Sequence, residues 1–548
     1  MLIIFIYFVY WVKRVCIEVS IKYCNIQELR SINLSEANQN MLHEIRLQVC
    51  QKLAFCEKKA VIVQPDEEKI ALMNLPIILG MIEAGYKPTI IFTGRNIGEA
   101  RDFYSKIGLS NFIYFNFLVG RFDIKAIASI QKIKSKIDLI NFSYQKIEVG
   151  KYVFATFIRR NRLGGLNLNN LKQIKSFFQI LFEGIDSSIR ANRVIEVIKP
   201  DVALFMDRNY LPNGPIFDAC INHNSNVITS NASHRNNQLV LKSYSFRNSR
   251  THPSSISDKN WALISLLKWG EFNESLIKKE IESCYSSGEW YGEVGTQFNA
   301  KTKSTTEIAE ILKIDTNKKN VLVFPHIFWD ATFFFGIDVY ETYQEWFLDT
   351  MEIAWKNHFV NWIIKIHPAN IVKNKRDGIN QEYLEVKVLK KFGDIPPHIK
   401  IIYPDSPIST ISLLQIGDTC LTVRGTVGIE AACYGLNVIT AGTGRYDSCG
   451  FTTNVTTKNE WRSQLRNIHN KKRPSKDLVE LAQKYAYGVF MLRPLSLSIV
   501  NFEYLKDETA SLVISLVEKN AFNIFNSPDV RAIYKWMISG EEDYIKIS

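Results

Sequence analysis

Three stretches in the second half of this 548-residue chain combine residue types suited to handling a phosphate-bearing ligand. The first is VFPHIFWDATFFFG, in which His326 and Asp330 follow an apolar run. An aspartate among Phe328, Trp329 and Phe333 loses solvation, which moves its pKa upward toward the range of a general base. Capping of the next helix is the alternative role. The second stretch is WIIKIHPAN, where Pro368 ends the ladder and aims the His367 imidazole out of the sheet edge. Lys365, two residues earlier, shares its face, and the pair could clamp phosphate oxygens. A satisfied structural histidine is the alternative.

The third stretch is TVRGTVGIEAACYG, with Arg424, Gly425, Thr426 and Gly428 at the mouth of a helix that carries Glu430. Gly425 and Gly428 allow close approach to the backbone, Thr426 can cap the helix, and the free N–H groups at its positive end favour an anion. Glu430 lies about one turn further on the same face, where a carboxylate could accept ribose hydroxyls. Glycines that serve only packing explain the same letters. Neither G-x-x-x-x-G-K-[ST] nor G-x-G-x-x-G is present. Downstream, Arg445 and Tyr446 in GTGRYDSCGFT could close over a ligand or pack their own loop. In the first half, Asp207 ends DVALFMD beside Arg208 as a second candidate base, and His234 and Arg235 could face the same cleft. No D-x-D occurs, so no metal-bound diphosphate is expected and no cofactor is called for; phosphate charge falls to basic side chains and a helix end.

These residues need strands behind them. Residues 58 to 96 read as a β-α-β unit, and NFIYFNF (111 to 117), the helix 171 to 198, DVALFMD (201 to 207) and NVITSNA (226 to 232) continue the alternation. A second alternation starts at NVLVFPH (320 to 326). It runs through the helical ETYQEWFLDTMEIAWKNH, NWIIKIHP, HIKIIYP, DTCLTV and LNVITAG (436 to 442). The pattern predicts an α/β protein: two Rossmann-like domains whose mostly parallel sheets face a cleft, with a helical C-terminal tail. The divisions are an N-terminal extension (1–57), a first Rossmann-like domain (58–250), a polar crossing (251–318), a second Rossmann-like domain (319–475) and the tail (476–548).

Composition agrees with a folded chain, at 46% hydrophobic and 22% charged residues. The net charge of +12 is scattered, which suits a solvated basic surface, phosphate ligands or an anionic membrane face. Nucleic acid is not among the expected partners. Nine cysteines without C-x-x-C fit neither a disulfide framework nor a zinc site and point to a reducing compartment. The opening MLIIFIYFVYWV is too short for the roughly 20 residues of a membrane span, and reads as a buried strand or a segment dipping into a membrane surface.

In order and spacing, the three stretches with SPIST and RGTVGIEAACYGLNVITAGTGRYDSCGFT resemble the bacterial capsule polysaccharide biosynthesis proteins, related to Kdo and sialic-acid transferases of GT-B architecture. The resemblance covers roughly residues 318 to 460. It implies a metal-independent glycosyltransferase that moves a sugar from a nucleotide-sugar donor, CMP-linked among the options, to a growing surface glycan or lipid-linked acceptor. The donor belongs in the second domain and the acceptor on the first. His367 and Pro368 then contact the donor phosphate, Ser409 and Thr410 assist, and Glu430 binds ribose. Such an enzyme works in the cytoplasm, with peripheral contact to the inner membrane as a further option. The sequence departs from the sialyltransferase-like pattern in lacking a D-[DE]-G acid, for which Asp207 stands in. Other readings of the same fold are a CDP-polyol phosphotransferase, an epimerase, which needs no acceptor domain, and a non-catalytic capsule assembly or export factor.

Overall fold

The computed structural model describes residues 9–12, 36–65, 68–94, 97–118, 123–286, 301–330, 333–376, 378–505, 511–517 and 523–546. Apolar runs such as AVIV at 60–63 and WII at 362–364 are buried on both faces, as strands between two helical layers must be. They build two sheets. The first contains β1 (Lys58–Gln64), β2 (Tyr86–Phe92), β3 (Phe112–Tyr114), β4 (Val202–Phe205), β5 (Asn226–Ala232) and β6 (Gln238–Tyr244). The second contains β7 (Asn320–Val323), β8 (Asn361–Lys365), β9 (Ile399–Ile402), β10 (Thr419–Thr422), β11 (Asn437–Thr440) and β12 (Thr453–Asn454). A last short strand, β13 (Leu495–Ser496), returns to the first sheet.

The spatial orders are β3-β2-β1-β4-β5-β6-β13 and β9-β8-β7-β10-β11-β12. Each is doubly wound, with the direction of winding reversing between β1 and β4 in one sheet and between β7 and β10 in the other. The second sheet is parallel throughout, with Val321 opposite both Trp362 and Thr419. The first is parallel as far as β5, then takes β6 and β13 antiparallel. These are the two Rossmann-like units expected from the alternation, in the GT-B arrangement that the resemblance implies.

The helices around the sheets start where the sequence supplies a cap. In the first lobe lie α1 (Val149–Asn161), α2 (Leu171–Ile198) and α3 (Asn213–Asn222); Asn170 caps α2 by accepting from the amides of Lys172 and Gln173. The second-lobe helix α4 (Tyr343–Lys356) is capped by Thr342 and buries Trp346, Phe347, Met351 and Ala354 against the sheet. Phe333, Phe334 and Phe335, from the loop after β7, are buried in the first lobe's core. Phe333 meets Phe154 edge-on at 5.5 Å and Phe334 stacks on Tyr152 at 5.0 Å. An aromatic peg from one lobe thus fixes it to the other.

Several expectations need correction. Residues 9–12 of the apolar opening are helical, not a strand, and Tyr10 packs its ring 5.9 Å from Phe182; residues 1–8 lie outside the described residues. The strand at 111–117 ends at Tyr114, where a 3-10 turn takes over. The crossing is not structureless, for it contains the helices Asp258–Ser265, Glu271–Ser286 and Thr305–Leu312; residues 287–300 lie outside the described residues. The tail has its helices, α5 (Lys476–Tyr487) and α6 (Pro528–Ser539), but also β13 and a hairpin of Val500–Tyr504 with Leu512–Leu516. It is fastened to the first lobe: a Cβ on Gly80, in the helix Leu75–Glu83, would meet Ile533 of α6 at 2.6 Å. The described cysteines are all free, and Cys16 and Cys24 lie outside the described residues. Among the described residues no helix is long and apolar enough to cross a membrane.

Candidate functional site

In a doubly wound sheet the crevice where winding reverses lies at the carboxyl ends of the strands, and ligands bind there. Here the two crevices open toward each other. The loops after β7, β8 and β10 meet the loop after β4 and the end of α1, and contacts cross the gap at Asp330.

Both histidines expected at the site are in this cleft. His326 Nε2 accepts the Arg424 amide N–H at 3.3 Å, and its ring stacks on Tyr343 at 4.3 Å. Burial, then the charges of His367 and Arg424, push its pKa down to about 3, so the ring is neutral near pH 7 with its proton on Nδ1. His367 Nδ1 accepts the Ala369 amide N–H at 3.1 Å. Burial, then the Lys373 charge, push it down to about 4. Its proton therefore sits on Nε2, as a neutral donor positioned by the turn that Pro368 starts.

Lys365 does not join it. Its ammonium is 3% exposed and donates to the Ile408 carbonyl at 2.6 Å, and burial lowers its pKa to about 7. The expected phosphate clamp of Lys365 with His367 is not formed. The lysine secures the turn before the helix Thr410–Ile416 instead. Ser409 caps that helix by accepting the Ser412 amide at 3.1 Å, and both Ser409 and Thr410 are buried.

The glycine turn is explained largely by its own packing. A Cβ on Gly428 would meet the Tyr446 hydroxyl at 2.2 Å, and one on Gly425 would meet Thr422 Oγ1 at 2.8 Å. Tyr446 is buried and donates to the Gly425 carbonyl at 2.9 Å, so it belongs to the loop core and is no lid. The helix that starts here is Val427–Cys433, and Thr426 does not cap it; its hydroxyl accepts from Arg445 Nη2 at 2.9 Å. Arg445 also donates to the Arg424 carbonyl at 2.7 Å, crossing the mouth of the turn. Arg424 is 4% exposed and committed elsewhere: Nη1 to Asp338 at 2.7 Å, Nη2 to the Ile337 carbonyl at 2.7 Å and Nε to the Thr443 carbonyl at 2.5 Å. Glu430 is 5% exposed, so the ribose-reading role has no open carboxylate in this structure.

Asp330 is the meeting point of the lobes. Its Oδ1 accepts from Arg159 of α1 at 3.1 Å and from the Tyr210 hydroxyl at 2.9 Å, and Lys373 Nζ stands 3.8 Å from Oδ2. The apolar enclosure expected for it is absent, since the side chain is 40% exposed and flanked by cations. Asp207, on the opposite wall, is open to the cleft and accepts the Asn209 amide at 2.9 Å. Protein crowding around the cleft raises its pKa, and Asp330 adds to the rise while Arg159 opposes it. Arg208 turns away to the Ser249 and Thr251 carbonyls. His234 and Arg235 do not face the cleft: both bind Glu280 of the crossing, at 2.8 and 2.7 Å.

Sequence reading missed Arg159, Arg162, Tyr210 and Lys373. The cations converge on one indole: Arg162 lies 4.3 Å from the Trp329 ring, Lys373 5.1 Å and Arg159 5.7 Å. The basic run RRNR at 159–162 was the visible signal for the first two. Beside it, a cavity of about 340 Å³ opens between Arg160–Leu163 of the first lobe and Trp329, Asn370 and Glu385 of the second. Among the described residues no group of three or more His, Cys, Asp or Glu side chains is arranged to hold a metal ion.

Residues 285–487 match the family of capsule polysaccharide biosynthesis proteins. The resemblance carried by the three stretches is borne out over that span, which reaches beyond them on both sides. Among solved structures, a Thermosulfurimonas dismutans KpsC, described as a beta Kdo 2,7 transferase, shares 15% identity at a TM-score of 0.32, covering 57% of this chain and 83% of its own. The T. dismutans KpsC described as a beta Kdo 2,4 transferase shares 13% at 0.31, covering 54% and 81%. A UDP-GlcNAc 2-epimerase from Neisseria meningitidis, bound to UDP-GlcNAc, shares 13% at 0.26, covering 79% and 96%. No curated protein matches.

Proposed function

We propose that this chain is a glycosyltransferase of capsule or surface-glycan assembly, moving a sugar from a nucleotide-sugar donor to a glycan or lipid-linked acceptor. The observation that carries the reading is the placement, in one cleft, of a solvent-open carboxylate on the first lobe and a set of phosphate-suited donors, His367 and Lys373 of the second lobe with Arg159 of the first. Asp207 is the base. It takes the acceptor hydroxyl proton, the oxygen attacks the anomeric carbon, and the bond from that carbon to the donor phosphate oxygen breaks with its electron pair leaving on the phosphate. His367 Nε2–H, Lys373 and Arg159 meet the charge that develops there, with no metal ion needed. A departing phosphate competes with Asp330 for Arg159 and Lys373, so Asp330 holds the cations in place until the donor enters. A nucleotide-sugar donor puts the reaction on the cytoplasmic side of the inner membrane.

The test is transfer from a panel of CMP-, UDP-, GDP- and CDP-linked sugars, with the Kdo and sialic-acid resemblance placing CMP first. Asp207→Asn should lower transfer by about 10²–10⁴-fold while leaving donor binding in place. Wild-type rates in that variant would remove Asp207 from the chemistry. A phosphodiester in the product, in place of a glycosidic bond, would establish a polyol phosphotransferase instead.

A further inference from the structure

A second cavity, of about 350 Å³, shares no lining residue with the cleft cavity. It lies where the aromatic peg enters the first lobe, between α1, α3 and the loop after β6. Three features of its wall bear on what it could hold. Phe246 lines it and is 76% exposed, so its ring is open to a ligand. The Phe334–Tyr152 stack backs another part of the wall, buried at 3% and 2% exposure, so Phe246 supplies the open aromatic face. Between them stand carboxylates and guanidinium groups already hydrogen-bonded within the protein. Asp218 accepts from the Tyr152 hydroxyl at 2.7 Å and the Glu148 amide at 3.0 Å. Glu148 pairs with Lys151 at 3.0 Å and with Arg250. Arg208 donates to the Ser249 carbonyl at 2.6 Å.

Carboxylates and cations share this wall, so it presents no single sign of charge to an ion. Its carboxylate oxygens keep unused lone pairs, since each can accept more than one hydrogen bond. The open Phe246 face beside such acceptors suits a ring that is C–H on its faces and hydroxyl at its edge, because the negative aromatic face attracts the C–H bonds. The volume is near the small end of the roughly 300–1,000 Å³ range of ligand sites, room for one monosaccharide unit.

We propose that this cavity is a saccharide subsite, holding one neutral sugar unit of the acceptor glycan at a distance from the bond being made. The link to the acceptor rests on the glycosyltransferase reading; the binding of a sugar does not. The site also gives the first lobe a means of gripping a chain that extends past the cleft. The test uses full-length protein and a panel of methyl glycosides of glucose, galactose, mannose and N-acetylglucosamine, read by saturation-transfer NMR. At least one should bind, and Phe246→Ala, at an exposed position that threatens no core, should weaken it by roughly ten-fold. Asp218→Asn should weaken it as well. Absence of saturation transfer from the whole panel, or equal binding in wild type and Phe246→Ala, overturns the subsite. Phe246-dependent sugar binding in a protein that turns over no nucleotide sugar would instead overturn the transferase reading and leave the subsite standing.

Discussion

Two aspartates in this molecule gather cations from distant parts of the chain, and they do so in opposite surroundings. Asp543 takes Lys242 of β6 at 2.8 Å, Arg493 of the tail at 3.4 Å and the Ser257 amide at 2.6 Å, with no side-chain exposure. Asp330 takes Arg159 at 3.1 Å and Tyr210 at 2.9 Å, with Lys373 at 3.8 Å and 40% of its side chain in solvent. In the first cluster every partner is protein and no ligand can enter. In the second, water already reaches the group, so a phosphate can replace the carboxylate at modest cost. Enclosure, more than the number of partners, separates a structural knot from a site.

The largest effect should come from breaking the enclosed cluster. Asp543→Ala leaves Arg493 buried without its carboxylate and Lys242 with only the part-exposed Glu542 at 2.6 Å, which costs about 3–5 kcal/mol. Its neighbouring cations, together with the Ser257 amide, hold the Asp543 carboxyl well below its usual range against the opposing effect of burial. A depressed pKa stabilises the fold above the unfolded carboxylate value, and that contribution is lost as pH falls toward the folded one. Thermal unfolding at neutral pH should therefore start several degrees lower in the variant, with the gap closing in acid. An unchanged melting curve would show that the tail is not held by this cluster.

That cluster was invisible in the sequence, because Lys242, Arg493 and Asp543 are separated by some of the longest contacts in the chain. The fold was legible where apolar runs alternate with amphipathic stretches: α2 and β5 occupy the residues expected of them. Strands with weak patterns were not, among them QLVLKSY, whose partner is the neighbouring β5, and the short β12 and β13. At the site, His326 and His367 could be placed because a strand end fixes where they point. Roles that depended on a side chain's far end could not. Lys365 and Arg424 were read as free cations, yet each reaches backbone carbonyls that only the folded loops bring near. Arg159 and Tyr210 required knowledge of which first-lobe loops face Asp330.

A third carboxyl sharpens the contrast, for Glu385 beside the cleft cavity is 1% exposed and has an amide as its side-chain partner, Asn370 at 3.2 Å. Burial raises its pKa from 4.5 to about 7. The folded state thus holds a proton that the unfolded state gives up, so stability falls as pH rises from about 4.5 through 7. Glu385→Gln removes the ionisation and should gain on the order of 3 kcal/mol over wild type at pH 8, with little difference at pH 4.5. Denaturation midpoints for the two proteins that stay parallel across this range would mean the carboxyl ionises freely.

The smallest effect on stability should come from the residue central to the cleft. Asp330→Ala removes an exposed ion pair, and such pairs are worth about 0–1 kcal/mol, so the melting curve should hardly move. The loss should appear elsewhere. With the carboxylate gone, Arg159 and Lys373 lose the negative charge between them, and an anion gains affinity for the gap. Nucleotide or inorganic phosphate should bind the variant more tightly than wild type, and more steeply so at low salt, since charge alone is left to hold it. Weaker phosphate binding in Asp330→Ala would mean that the aspartate orients these cations for the donor and does not compete with it. The opposition between an enclosed knot and an exchangeable one would then fail at its open end.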